Sequence, residues 1–330
     1  PESAGEAAYV REAFGRPWLS DTIGLGVALV GIVSAAAILK GGVGYILGFV
    51  DLPRAWLEIG VALLLALIAM AGVVESLAVA AIFTLVEVIG LLLVATAGLS
   101  AEPVMSFAAM TDMAPLLHGA APAVAAAALL AFFAFIGFED MVNLAEEVVD
   151  PVRTMPRAIL MAVAITTALY CLVAVAALRA VEVEALAASA QPLALVFETG
   201  FGRGDAPILA IGIFATLNGV LAQIIMAARV LYGLGRHNRR LAWAHQTHKR
   251  FATPTRATAA GVALMIVLAL AAPIGALASA TSYLLLCIFI VINAALIRLK
   301  RRGPPPAGAP NIPIAAPALA IVISAALLFA

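Results

Sequence analysis

An acid placed inside hydrocarbon is the first chemical signal in this chain. Glu87 stands in "FTLVEVIGLLL", surrounded by apolar residues, with Thr84 on the same helical face. Burial disfavours the charged form of a carboxyl, so a group at such a place tends to hold a proton and can carry one. An ionisable residue within a membrane span is a functional candidate by default. A packing role stands beside that reading, with a protonated or hydrogen-bonded Glu tying two helices together. The second signal is "FFAFIGFED", residues 132–140. An apolar run meets Gly137, closes on Glu139 and Asp140, and turns polar at "EEVVDPVRTMPRA". Gly137 permits backbone geometries closed to other residues. A helix broken at membrane depth exposes N–H and C=O groups, which is tolerated only where they are buried in protein or line a cavity. Transporters use such half-helix ends to hold substrates and ions. Periodicity alone favours the plainer alternative, an ordinary helix whose end is marked by Glu139 and Asp140.

Three more polar residues lie in apolar surroundings. Lys40, in "SAAAILKGGVGYI", has a stem long enough to reach the interface, or it serves the bundle. Asn218, in "FATLNGVLAQ", is placed to face a pocket or to hydrogen-bond a neighbouring helix, and the small residues beside it favour packing. Arg229 lies near one end of the same span and is expected to snorkel.

The elements that must position these residues follow from composition. The chain has 330 residues, 64% hydrophobic and 12% charged, with mean hydropathy +1.11. Soluble domains carry about a quarter charged residues, so this is a membrane chain. A spanning helix needs roughly 20 mainly apolar residues. Nine stretches qualify: about 22–48, 56–74, 77–98, 122–141, 157–178, 206–233, 256–272, 279–297 and 313–330. Short alternating strands, the mark of a β-barrel, are not visible. The fold class is therefore an all-α integral membrane protein, in one transmembrane domain over 1–330.

With the first span running outward from the cytoplasm, fourteen of the nineteen Lys and Arg residues fall on inner loops. Three, Arg54, Arg179 and Arg203, fall outside, and Lys40 and Arg229 lie within spans. That bias sets the orientation. It also explains the basic loop "GRHNRRLAWAHQTHKRFATPTR" as an anchor, with no nucleic-acid partner implied. In the 141–157 loop, Pro156 is expected where the next helix begins, a position that tolerates a missing N–H. "VEALAASAQPLALV" is expected to form a short surface helix broken by Pro192, and "RRGPPPAGAPNIP" reads as an extended linker. Cys171 and Cys287 both fall in spans, which argues against a disulfide framework. His118, His237, His245 and His248 are placed in loops. Residue 1 is Pro and the chain stops at "ALLFA" within an apolar run, so the expectation is a fragment cut at both ends.

Several segments together carry a family likeness. "FFAFIGFEDMVNLAEEVVDPVRTMPRAI" resembles the sixth helix and following loop of the amino acid–polyamine–organocation superfamily of permeases. "PESAGEAAYVREAFGRPW" is similar to that family's loop after its second helix, and "ESLAVAAIFTLVEVIGLLLV" to its fifth helix. "MAARVLYGLGRHNRR" followed by "TPTRA" is similar to the end of its eighth helix and beyond. The resemblance implies a five-plus-five inverted-repeat fold in which the spans here correspond to helices three to eleven. It implies a substrate site at the break, where the carbonyls of Phe133 and Ile136 receive an amino group. Phe133 acts as an aromatic lid, and Ala134, Phe135 and Gly137 line the pocket. Glu139 takes an acidic gate position with Phe133. The family's glycine-rich first-helix motif is not in this sequence, so residues 1–330 are not expected to transport alone. Some proton-coupled members carry a Lys where Glu87 stands here.

The function implied is secondary transport of amino acids or related amines, coupled to protons or by exchange, in a multi-pass position in the cell membrane. The substrate, protons and the lipid bilayer are the expected partners, with no cofactor or metal. An ion channel is the first competitor, but no filter-like segment is present. A non-transporting scaffold or sensor is the second. A membrane-embedded enzyme would need a nucleophile–base pair or metal ligands in the spans, and no His lies in any predicted span. No Walker-type phosphate loop appears, so direct ATP coupling is not expected.

Overall fold

Hydrocarbon offers backbone groups no water, so this apolar chain satisfies them in helices. A computed structural model describes residues 5–72, 77–110, 112, 119–139, 141, 148–202, 204–248, 251, 253–303 and 312–329. Among them there is no strand. The helices are α1 Gly5–Phe14, α2 Pro17–Ile46, α3 Arg54–Ala71, α4 Leu77–Ser100, α5 Phe107–Met110, α6 Ala121–Phe133 and α7 Pro151–Ala180. They continue with α8 Val183–Ala188, α9 Pro192–Phe201, α10 Ala206–His237, α11 Thr255–Ala271, α12 Ile274–Arg302 and α13 Ala315–Leu328. Six are long and apolar enough to cross a membrane: α2, α3, α4, α7, α10 and α12. α6, α11 and α13 are shorter apolar helices within the fourth, seventh and ninth expected stretches.

α2 is the central post. Two thirds of its apolar window is buried, against 6% for α7. Its small residues Ser34, Ala35, Ala36 and Ala37 are buried in sequence, which lets neighbouring backbones approach closely. α10 packs along it more extensively than any other helix. The main core joins α2, α3, α10 and α11 through Leu39, Val43, Leu65, Val220, Ile224, Val262 and Met265. A second core joins α4, α7, α9 and α10 through Val94, Ala97, Ala180, Val196, Phe197 and Leu209. On the outer faces Leu67, Ile82, Leu160, Met161 and Val322 are exposed. In a bilayer these are lipid contacts, which is what the length and composition of their helices require.

The structure corrects or refines four local expectations. Pro156 does not open a helix; it lies inside α7, which starts earlier at Pro151. Pro151 occupies the first turn, where no N–H partner is needed, and the Asp150 carbonyl accepts from Arg153 and Thr154. The expected short surface helix forms as α8, Val183–Ala188, but it ends before Pro192, which opens α9. That helix buries Ala194, Val196 and Phe197 and docks against α4, where a Cβ on Gly200 would meet the Ala97 carbonyl. His237 is not in a loop; it is the last residue of α10. The basic loop is partly built, with a 3-10 turn over Arg239–His245 capped by the Asn238 side chain. His118, Asp140, Lys249 and Arg250 lie outside the described residues, as does most of 141–150.

α1 lies against α2 and α12. Ser20 Oγ donates to the Ala7 carbonyl at 2.7 Å, and Arg298 and Arg302 donate to the carbonyls of Ala13 and Glu12, each at 2.8 Å. The arginine stack ending α12 thereby fastens α1 across one end of the bundle. Cys171 and Cys287 are free.

Candidate functional site

The fourth apolar stretch is interrupted. α6 ends at Phe133, and the next three amides turn back in tight steps. Ala134, Phe135 and Ile136 donate to Ala131, Phe132 and Phe133 at 3.0, 3.0 and 3.2 Å. Gly137 then takes φ +122°, a conformation that L side chains rarely adopt. Its N–H donates to Glu139 Oε2 at 2.8 Å. Glu139 is 9% exposed. An amide freed by the break at membrane depth needs an acceptor, and this carboxyl turns back to provide one. The sequence explains the geometry locally: a glycine at the position of forbidden φ, and an acceptor two residues later.

Aromatic residues wall the break. Phe132 and Phe138 meet Phe289 of α12 with ring centroids 6.1 and 5.8 Å apart. Phe133 packs against the main core, and Ile136 against a smaller cluster containing Val30, Leu285 and Ile288. Phe135 meets the ring of Tyr170 on α7 at 5.3 Å. The Tyr170 hydroxyl donates to the Ala134 carbonyl at 3.0 Å. The Phe133 carbonyl accepts from Ile136 but keeps a second lone pair. Glu139 also lines a cavity of about 20 Å³ with Glu6, Gly31, Gln223 and Phe289, which is roughly the room one water needs.

Glu87 is half-buried on α4 and shares a side-chain hydrogen bond with Asn218 of α10. Thr84 lies one turn earlier on the exposed side of α4. Two residues marked separately in the sequence, Glu87 and Asn218, are therefore partners. Lys40 is elsewhere. Its Nζ lies 3.4 Å from Glu58 Oε1 of α3 and donates to the Ala269 carbonyl of α11 at 2.6 Å.

Sequence reasoning missed Glu58, Tyr170, Gln223 and Glu6. Glu58 had a usable signal, since it is an acid inside the second apolar stretch. Tyr170 in "TALYCLV" had none, because a lone Tyr among apolar residues marks nothing until its hydroxyl finds a partner. Gln223 and Glu6 become noticeable only when α1, α2, α10, α12 and Glu139 of the break meet.

The fold and the break together define an α-helical multi-pass membrane protein in which α6 ends at Phe133 in a turn whose backbone groups are engaged by Glu139 and Tyr170. The comparisons agree and are more specific: the amino acid permease family model matches residues 1–330. The chain belongs to the amino acid permease family, within the amino acid–polyamine–organocation superfamily. It is 36% identical over 174 residues to an uncharacterized transporter of Mycobacterium tuberculosis, covering 52% of this chain and 40% of that protein. It is 26% identical over 305 residues to the branched-chain amino acid permease BcaP of Bacillus subtilis, covering 91% and 62%. Against cationic amino acid transporter 1 of Arabidopsis thaliana it is 26% identical over 242 residues, covering 73% and 40%. The chain thus spans less than two thirds of the length of each of these relatives.

Proposed function

We propose that this chain supplies the broken helix and supporting scaffold of a secondary transporter for amino acids or related amines. The observation that carries the reading is the break at residues 134–138, where Gly137 at φ +122° leaves backbone groups that Glu139 and Tyr170 engage. The Phe133 and Ile136 carbonyls offer an electronegative end to a substrate ammonium, Ala134, Phe135 and Gly137 line the pocket, and Phe133 covers it. Glu139 serves as the gate partner beside the break. Glu87, hydrogen-bonded to Asn218, is the proton carrier, so transport is proton-coupled or proceeds by exchange. The basic end of the bundle faces the cytoplasm. The relatives' names support an amino acid substrate, and a carrier rather than an enzyme or channel, but differ on which amino acid.

The test is uptake into proteoliposomes containing the complete transporter to which this chain contributes, with radiolabelled leucine and arginine as probes under an imposed proton gradient. Saturable uptake that rises with the gradient, and counterflow against internal unlabelled substrate, are expected. Ion currents without saturable uptake of either probe would sink the carrier reading in favour of a channel. Neither uptake nor current would leave the scaffold reading.

A further inference from the structure

The break keeps its hydrogens and shows its lone pairs. The amides of Ala134, Phe135 and Ile136 donate to the carbonyls of Ala131, Phe132 and Phe133. The Gly137 amide donates to Glu139 Oε2 at 2.8 Å. Every N–H from 134 to 137 is therefore spent within the protein. Tyr170 of α7 reaches the same stretch. Its ring stands edge-on to Phe135, with centroids 5.3 Å apart, and its hydroxyl lies 3.0 Å from the Ala134 carbonyl. A carbonyl has no proton to give, so the hydroxyl is the donor, and a phenol has a single proton. With that proton committed to Ala134, the Tyr170 oxygen can only accept from any further partner. The bond is not sealed off, since Ala134 is exposed and Tyr170 half-buried.

We propose that the Tyr170 hydroxyl oxygen is a third acceptor for the substrate ammonium, beside the carbonyls of Phe133 and Ile136, and that it makes the site select primary amines. This rests on the reading of the break as the ammonium site. Phe133 and Ile136 flank the residue that Tyr170 holds, so the three acceptors belong to one turn of chain. A primary ammonium brings three N–H donors, as the lysine head group does, whereas an Nα-methylated one brings one fewer. Two carbonyls alone are satisfied by either. A third acceptor is satisfied only by the primary amine. A site built to hydrogen-bond an N–H rejects the analogue that lacks it, because its polar groups are left unpaired. The ring contact with Phe135 holds the phenol in place before the substrate arrives, which lowers the ordering cost of binding. The spent amides and hydroxyl offer no donor to a substrate carboxylate, so this selection acts at the amino end alone.

The test is competition for uptake of radiolabelled leucine or arginine, whichever the complete transporter takes up in proteoliposomes. The competitors are the same amino acid unlabelled and its Nα-methyl form. In the unsubstituted protein the methyl should weaken inhibition about tenfold, the size of one hydrogen bond to a charged group. Tyr170→Phe keeps the ring against Phe135 and loses only the hydroxyl. In that variant the primary amine should lose about tenfold while the Nα-methyl form stays within about twofold, so that the preference disappears. A methyl tolerated within about twofold by the unsubstituted protein overturns the inference without any variant, being less than one hydrogen bond is expected to contribute. Equal losses for both competitors in Tyr170→Phe, with a lower unfolding temperature, overturn it by making Tyr170 a packing residue. A gain by the Nα-methyl form with the primary amine unchanged also overturns it, because the hydroxyl would then act by its bulk. Uptake that ignores the methyl sinks this inference and leaves the transport reading standing. Uptake of neither amino acid by the unsubstituted complete transporter sinks both.

Discussion

Replacing Lys40 by Met should destabilise the bundle by about 3–5 kcal/mol, because it strands Glu58 inside it. The Glu58 side chain is 3% exposed and that of Lys40 is 13% exposed, with Nζ and Oε1 3.4 Å apart. At that distance the Coulomb attraction is about 5 kcal/mol for an effective dielectric of about 20. Most of it offsets the cost of taking both charges out of water, so the pair is close to neutral as a unit and expensive to break. Lys40 has a second partner in the Ala269 carbonyl at 2.6 Å, whereas no such substitute is described for Glu58. Glu58→Gln should therefore cost less, about 1.5–3 kcal/mol, since it removes one charge-assisted bond and leaves the ammonium partly satisfied. Lys40→Met with Glu58→Leu should cost about 1–3 kcal/mol less than the sum of the single changes. The assay is SDS-induced unfolding in mixed micelles, read as a double-mutant cycle. Single variants within about 0.5 kcal/mol of the parent, the size of ordinary surface changes, would refute the reasoning. Lys40 would then extend to the interface and the pair would contribute nothing.

The remaining expectations concern the break and the packing beneath it. Glu87→Gln should leave substrate binding measurable by thermal shift and abolish gradient-driven accumulation while exchange survives; a variant that concentrates substrate as well as the parent removes Glu87 from the mechanism. Phe133→Ala should weaken substrate retention and, because the half-buried ring packs on the main core, lower stability by about 2 kcal/mol, short of the roughly 3–5 kcal/mol for a fully buried ring. Phe133→Leu should restore stability but not retention, and recovery of both in binding and melting assays would make the residue core alone. Gly137→Ala should cost about 1–3 kcal/mol in backbone strain, since a Cβ there meets no atom within 4 Å; an unchanged melting temperature would show that the break relaxes freely. Gly200→Ala drives a methyl into the Ala97 carbonyl and should cost about 1–3 kcal/mol or more, so parental stability in detergent would mean that α9 is not clamped to α4.

Length, apolar content and charge bias determined that this is a multi-pass helical membrane protein, because hydrocarbon leaves an apolar chain no other way to satisfy its backbone. The break was legible only through the family resemblance, because periodicity alone favoured an ordinary helix ending at Glu139 and Asp140; the turn itself is local, with Gly137 donating to Glu139 two residues on. What the chain order could not determine was partnership. Lys40 reads equally as a snorkelling residue or a bundle residue, and only the meeting of α2, α3 and α11 brings Glu58 and the Ala269 carbonyl to it. Asn218 reads as packing until α10 crosses α4 and places it on Glu87. Pro192 reads as a breaker, yet the same fixed φ that ends one helix can open the next, and the apolar surface of α4 decided which. Tyr170 is the plainest case: its ring belongs to an apolar helix face, and its hydroxyl acquires meaning only because the break in another helix leaves a carbonyl within 3.0 Å. Local chemistry sets where a helix must stop, but a hydrogen bond between helices depends on two surfaces whose meeting is a property of the whole packing.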